Sequence, residues 1–278
     1  MKVNCRYVNS QGMSINFLGE KIRVTEGTVH GREWNPSTTS GTIGETVDYW
    51  SKEAYRIPLT ITFRGTRSER LKAMDRLHDM AEYDILHNQA GTLYYGEWFC
   101  SCFISSASYD PGAQPTWIDQ KIKLYVPEAT WWKQSNFKIE KKVDAGIVTK
   151  YPTLYPFRYG NEAKVITLDS DHFTESDFRM IVYGPANSVN VQIADNVYKV
   201  NHEILAGEYL VIDTRQNQRA EDHCYLVRQN GTRINCYNDR ETDIMVPIPP
   251  GKFNVNYSRG YTVEIQMLYG RSEPKWYQ

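Results

Sequence analysis

The stretch YRIPLTITFRGTRSERLKAMDRLHDMAEYDILHNQAG, residues 55–91, changes its period halfway along, and that change decides the fold of the first half. Tyr55, Ile57, Leu59, Ile61 and Phe63 alternate with Arg56, Pro58, Thr60 and Thr62, which gives a strand one dry and one wet face. Pro58 donates nothing to a ladder, so it marks an edge or a bulge. Thr66 and Glu69 then stand at capping-box spacing, and Leu71, Met74, Leu77, Ala81 and Ile85 recur at helical spacing until Gly91 ends the run. The pattern predicts one amphipathic helix over about 67–88. No other stretch reads as a long helix.

Strand patterns resume on the far side. LYYGEWFCSCFISSASY and IDQKIKLYV alternate, the second placing Ile118, Ile122, Leu124 and Val126 on one face. Between them SASYDPGAQPTW carries turn chemistry at Asp-Pro-Gly. Before residue 55, the segment Glu33 to Tyr49 has no helical period and many turn formers. It reads as a long loop or projecting hairpin, and connections of that length tend to be functional or to order on a partner.

After ATWWKQSNF the character changes. Charges dominate from Lys138 to Asp144, and YPTLYPFRYG follows as a stiff linker. This places a boundary near 145, with a β domain carrying one helix at 1–145 and a second domain at 146–278. In the second, FRMIVYG, VNVQI, VYKVN, EYLVID, CYLVR, RINCY, DIMVPI, FNVNY and TVEIQMLY succeed one another, with hairpin turns at Asp195-Asn196 and Asn230-Gly231. That spacing predicts an antiparallel β-sandwich, so the chain as a whole is mainly β.

Composition narrows the function. With 32 Lys and Arg against 33 Asp and Glu the formal charge is −1, so no global field draws in nucleic acid or an anionic membrane. The first residues lack the apolar core of a signal peptide and no run approaches a membrane span, which sets the expected compartment as the cytoplasm. Five cysteines, an odd number without framework spacing, fit reduced thiols.

Candidate chemical sites are weak. Cys100-Ser-Cys102 resembles a metal clip, but Trp98, Cys100, Cys102 and Ile104 recur at period two, which suits small buried side chains on a strand, and no second ligand pair lies nearby. Asp169, Asp171, Glu175 and Asp177 in LDSDHFTESDF lack the glycine of a calcium loop and read as a solvated turn. Histidines 30, 78, 87, 172, 202 and 223 are scattered singly, with no GxSxG elbow or GxxxxGK loop. We therefore expect no catalytic residue, no cofactor and no metal. Sugar binding by the second domain is the rival reading, against which all seven tryptophans avoid the sandwich body: 34, 50, 98, 117, 131 and 132 precede it and 276 follows it.

The chain ends in RSEPKW. RIPLTITFRG leading into the helix, EWFCSCFISS, KLYVPEATWW, SDFRMIVYGP, VNVQIADNVYKVN, GEYLVID and this ending, in that order, resemble the distal tail proteins of long-tailed bacteriophages, particularly those of Gram-positive hosts. The resemblance covers essentially the whole chain. It implies a homo-hexameric ring at the tail tip, whose first domain stacks on the tail tube protein while a galectin-like second domain holds receptor-binding or baseplate proteins. It also implies docking to the tail-tip hub protein, DNA passing through the channel without specific binding, and assembly in the host cytoplasm with release by lysis. The galectin HxNPR run is missing, so the fold does not by itself imply lectin activity. Beyond the last strand, Arg271 and Glu273 can supply polar contacts, Pro274 stiffness and Trp276 an anchor, a candidate docking segment; the other reading has Trp276 fold back on its own chain.

Overall fold

The structure, a computed structural model, describes residues 4–31, 33–109, 116–141, 166–215, 219–257 and 260–275. The chain divides into two units, Met1–Lys133 with Gly270–Gln278, and Gln134–Tyr269. The expected boundary near 145 and the linker YPTLYPFRYG lie outside the described residues. The chain crosses between units inside strands, at Lys133 and again at Gly270.

In the first unit β1 (Cys5–Val8), β2 (Ser14–Asn16), β3 (Ile22–Gly27), β4 (Asn35–Ser40), β5 (Glu45–Ser51) and β6 (Tyr55–Arg64) precede the helix α1 (Arg67–Leu86). Strands β7 (Gly91–Tyr95), β8 (Trp98–Tyr109), β9 (Trp117–Val126) and β10 (Trp131–Ile139) follow. Pairing is antiparallel throughout, with β3, β6, β9 and β8 adjacent in one run and β2, β1, β7, β8 and β10 in another. The alternation read from β6 holds: Ile57, Leu59, Ile61 and Phe63 are buried. Pro58 pairs with Lys123 on β9 but lies one residue past the end of the β3 ladder, which stops at Leu59, so it stands at a local edge as expected. The irregularity lies next door, where β3 shifts register between Val24 and Glu26. Trp98, Cys100, Cys102 and Ile104 on β8 are all buried, as their period requires.

The helix is capped as its sequence dictates: Thr66 accepts from the Glu69 backbone, and the Glu69 carboxylate accepts from Thr66. Its stop and its face differ from expectation. His87 is the C-cap and Asn88 takes the left-handed conformation, so the helix ends before Gly91, which opens β7. The buried stripe is Arg70, Met74, Leu77, Met80, Ala81 and Asp84, while Leu71 and Ile85 are exposed. Two polar residues on the stripe explain the rotation. The Asp84 carboxylate accepts from the Tyr7 hydroxyl, from the Ser10 backbone at 2.9 Å and from the Ser10 hydroxyl at 2.6 Å, which pins the helix end to β1 and the turn after it. A Cβ on Gly91 would lie 2.3 Å from the Tyr7 oxygen and 2.7 Å from Asp84 Oδ2, so this approach admits only glycine.

The second unit is a β-sandwich. Its strands are β11 (Ile166–Ser170), β12 (Asp177–Tyr183), β13 (Val189–Ile193), β14 (Asn196–Val200), β15 (Tyr209–Asp213), β16 (Cys224–Val227), β17 (Arg233–Asn235), β18 (Gly251–Tyr257) and β19 (Thr262–Arg271). One sheet runs β17-β16-β15-β12-β19, the other β11-β18-β13-β14. Phe178, Met180 and Val182 of β12 and Val263, Ile265 and Met267 of β19 meet Val189, Val191 and Ile193 of β13, Tyr198 and Val200 of β14, and Phe253 and Val255 of β18 in the core. Phe178 and Tyr198 meet edge to face, with centroids 5.2 Å apart.

Three local expectations need correcting. DIMVPI forms no strand, because Pro247, Pro249 and Pro250 leave too few donors; Ile244 and Ile248 are buried nonetheless, and a single bridge joins Ile248 to Ser176. The β13–β14 hairpin pairs Ile193 with Asn196, so its turn residues are Ala194 and Asp195, one position earlier than expected, with Ala194 at φ 51°. LDSDHF, read as a turn, begins as strand β11. The Asn230-Gly231 turn stands, with Asn230 Oδ1 accepting from Thr232 and Gly231 at φ 80°.

Candidate functional site

The segment before β6 is the hairpin β4–β5, a two-stranded sheet of its own. Asn35, Pro36 and Ser37 pair with Ser51, Trp50 and Tyr49; the register then slips so that Thr38 meets Val47, leaving Asp48 as the extra residue of a bulge. The Asp48 carboxylate is held across the hairpin by the Thr39 hydroxyl at 2.7 Å. At the tip Gly41 donates to the Gly44 carbonyl at 2.9 Å, and Gly44, at φ 76°, turns the chain back. At the base the Lys52 ammonium lies 4.7 Å from the Trp34 ring and donates to the Ala129 carbonyl at 3.1 Å, and burial pulls its pKa down. A cleft of about 660 Å³ opens beside this base, lined among others by Val29, His30, Glu33 and Tyr55.

What distinguishes the hairpin is its apolar surface. Every residue of β5 is exposed, and Ile43 at the tip is 97% exposed, Tyr49 63%, Trp50 56% and Val47 45%. An isolated two-stranded hairpin is at best marginally stable in water. A hairpin that nevertheless presents isoleucine, valine, tyrosine and tryptophan to solvent has the make-up of a docking element, since such side chains gain most when another surface covers them. Polar neighbours, Thr38, Thr39, Thr46 and Asp48, keep it compatible with water until then.

The residues singled out from the sequence fall elsewhere. The Arg271 guanidinium lies 5.8 Å from the Trp98 ring centroid, Glu273 and the Pro274 carbonyl adjoin His30, and Pro274 is buried. These three therefore pack against the first unit. Trp276 lies outside the described residues. Asp169, Asp171 and Glu175 are exposed, and Asp177 is half-buried beside the Thr214 hydroxyl; among the described residues they do not gather into a group able to hold a metal ion. All five thiols are free and buried; burial pushes those of Cys5 and Cys224 up to about 12, which suits inert core positions for these two. The exposed aromatics Trp34, Tyr49 and Trp50 were not picked out as a site by sequence reasoning. The available signal was the length of the turn-rich segment that carries them.

No protein-family model and no curated protein sequence matches the chain. Solved structures do. A chain of the phage P2 baseplate in its activated conformation with Ca superposes with a TM-score of 0.64 at 15% identity, over 99% of this chain and 100% of that one. SPP1 Dit, described as a paradigm of the hub adsorption apparatus in Gram-positive infecting phages, superposes with a TM-score of 0.60 at 9% identity, over 98% of this chain and 100% of that one. The chain has the fold of a phage distal tail hub protein. The likeness in fold extends over nearly the whole length of both chains. A second baseplate structure, with Sr, agrees at a TM-score of 0.63 and 14% identity.

Proposed function

We propose that this protein is a structural component of a phage tail tip, forming a hexameric ring that joins the tail tube to the hub and to host-recognition proteins. The observation that carries this reading is the whole-length match in fold to baseplate and hub proteins. The exposed hairpin supplies a means: seated on the neighbouring copy, Ile43, Val47, Tyr49 and Trp50 would leave water at each of six identical contacts. The role is mechanical, not catalytic, and DNA passes through a ring whose subunits carry a formal charge of −1 each. Assembly takes place in the host cytoplasm and release follows lysis. With Arg271, Glu273 and Pro274 packed against the first unit, Trp276 alone enters as a second docking element toward the hub, tested by whether Trp276→Ala weakens hub capture while leaving the ring intact. The reading itself is tested by co-expression with tube and hub proteins of the same phage. Co-purification in a six-fold particle supports it, and persistent failure to join either partner overturns it.

A further inference from the structure

A cluster in the second unit has no part in this account. His202, Cys236 and Asp239 each bring one ligand atom to a common point, all within 4.8 Å of one another. Their approach is built by the backbone. Asp239 donates to the Cys236 carbonyl at 3.0 Å, closing a tight turn of three-residue period in which side chains three apart eclipse, so the thiol and the carboxylate share one side. His202 follows β14, and that strand end is tied to the same turn by a bridge from Val200 to Arg240, by Asn201 donating to the Asp239 carbonyl at 2.8 Å, and by Glu241 donating to the Lys199 carbonyl at 2.9 Å. Cys236 is itself anchored from behind, its N–H donating to the Cys224 carbonyl at 2.9 Å. Cys236 is 1% exposed, whereas the histidine and aspartate are half-buried, so the point is shielded on one side and open to an ion from the other.

We infer that His202 Nδ1, Cys236 Sγ and Asp239 Oδ2 form a site for a divalent transition metal of the zinc class, with water in the fourth position. The donor set selects that class. A carboxylate alone would suit calcium or magnesium, but thiolate and imidazole together favour zinc-like ions. The geometry is near what such an ion needs. Bonds of about 2.0–2.3 Å set tetrahedral ligand atoms roughly 3.3–3.8 Å apart. His202 Nδ1 and Asp239 Oδ2 now stand 2.7 Å apart in a hydrogen bond, so they separate slightly as the ion enters between them. The Cys236 thiol proton leaves to solvent as the metal–sulfur bond forms. Bound metal would clip the end of β14 to the 236–239 turn and stiffen this edge of the sandwich.

The test is cobalt(II) titration of the full chain stripped of metal, followed by zinc competition. The expected result is one equivalent of cobalt giving a thiolate-to-metal charge-transfer band and tetrahedral visible bands, both displaced by zinc. Cys236→Ser should abolish the charge-transfer band, and His202→Ala should weaken cobalt binding at least tenfold. Cys224→Ser, a matched buried thiol without a ligand role, should keep the band. Zinc should also raise the melting temperature of the parent chain but not of Cys236→Ser, a comparison that stays informative if the substitution costs some stability. No stoichiometric cobalt binding, or a band that survives in Cys236→Ser, would overturn the site, leaving His202 and Asp239 as a plain hydrogen-bonded pair. Loss of the band in Cys224→Ser would overturn the assignment of Cys236 as the sole thiolate ligand.

Discussion

Replacing Asp84 by alanine is the sharpest perturbation of the first unit. Its carboxylate is fully buried and accepts three hydrogen bonds, one from Tyr7 and two from Ser10. Hydrogen bonds to a charged group contribute about 1.5–3 kcal/mol each, and a buried donor left without a partner costs about 1–3 kcal/mol. Tyr7, itself fully buried, cannot turn its hydroxyl to water. Relief of the buried charge offsets part of the loss, so the net effect expected is about 3–5 kcal/mol. Asp84→Asn keeps one carbonyl acceptor and should lose about half as much. The assay is urea unfolding read by tryptophan fluorescence, which reports the first unit alone because all seven tryptophans belong to it. With a slope of about 2 kcal/mol per molar urea, the midpoint should fall by about 1.5–2.5 M. A midpoint unchanged within about 0.3 M, at unaltered slope, would show that the buried carboxylate does not hold the helix to β1.

Three further outcomes follow from the same structure. Trp50→Ala with Ile43→Ser should leave the fluorescence-detected stability within about 0.5 kcal/mol, since both side chains face water, yet should lower the fraction of chain in ring assemblies by at least tenfold in sedimentation velocity; equal assembly would remove the hairpin from the contact. In the second unit, burial raises the Asp213 pKa, but the hydrogen bonds and charges of Arg215 and the charge of Arg179 outweigh it, leaving the carboxyl below its ordinary 3.8. A depressed folded value means that the stabilisation is fully present above 3.8 and is lost as pH falls through the folded value, so Asp213→Asn should flatten the acid limb of stability against pH; an unchanged limb contradicts the pairing. Finally, the second unit should show no binding on an array of host wall glycans. Binding there, or hydrolytic turnover abolished by Asp169→Asn or Asp171→Asn, would count against the mechanical role.

Much of this architecture is legible in residue order, and the parts that are not share a cause. Strands β6, β8, β9, β12, β13 and β19 carry their alternation openly because each has one face in a core. The capping box at Thr66 is local and was readable for that reason. The helix face is legible at Met74, Leu77 and Ala81 but not at its edges, because Arg70 and Asp84 are polar and their burial depends on Gly65, Tyr7 and Ser10, which no periodicity can announce. Gly91 looked like a helix stop but is a close-approach glycine, a distinction visible only once Tyr7 and Asp84 lie beneath it. The His202, Cys236 and Asp239 cluster is not legible for the same reason, since a strand end and a turn 34 residues apart meet only through the fold. The hairpin was half visible: its length flagged it, but the exposure of Tyr49 and Trp50 is a property of what does not cover them.

Ring formation is tested most directly by mass in solution by light scattering with negative-stain imaging of the same fraction, in the presence of the tube and hub proteins. Six times 32.3 kDa, about 194 kDa for the protein's own contribution, in a six-fold ring with an open centre is the predicted result. A chain that stays at 32.3 kDa with both partners present would contradict the account.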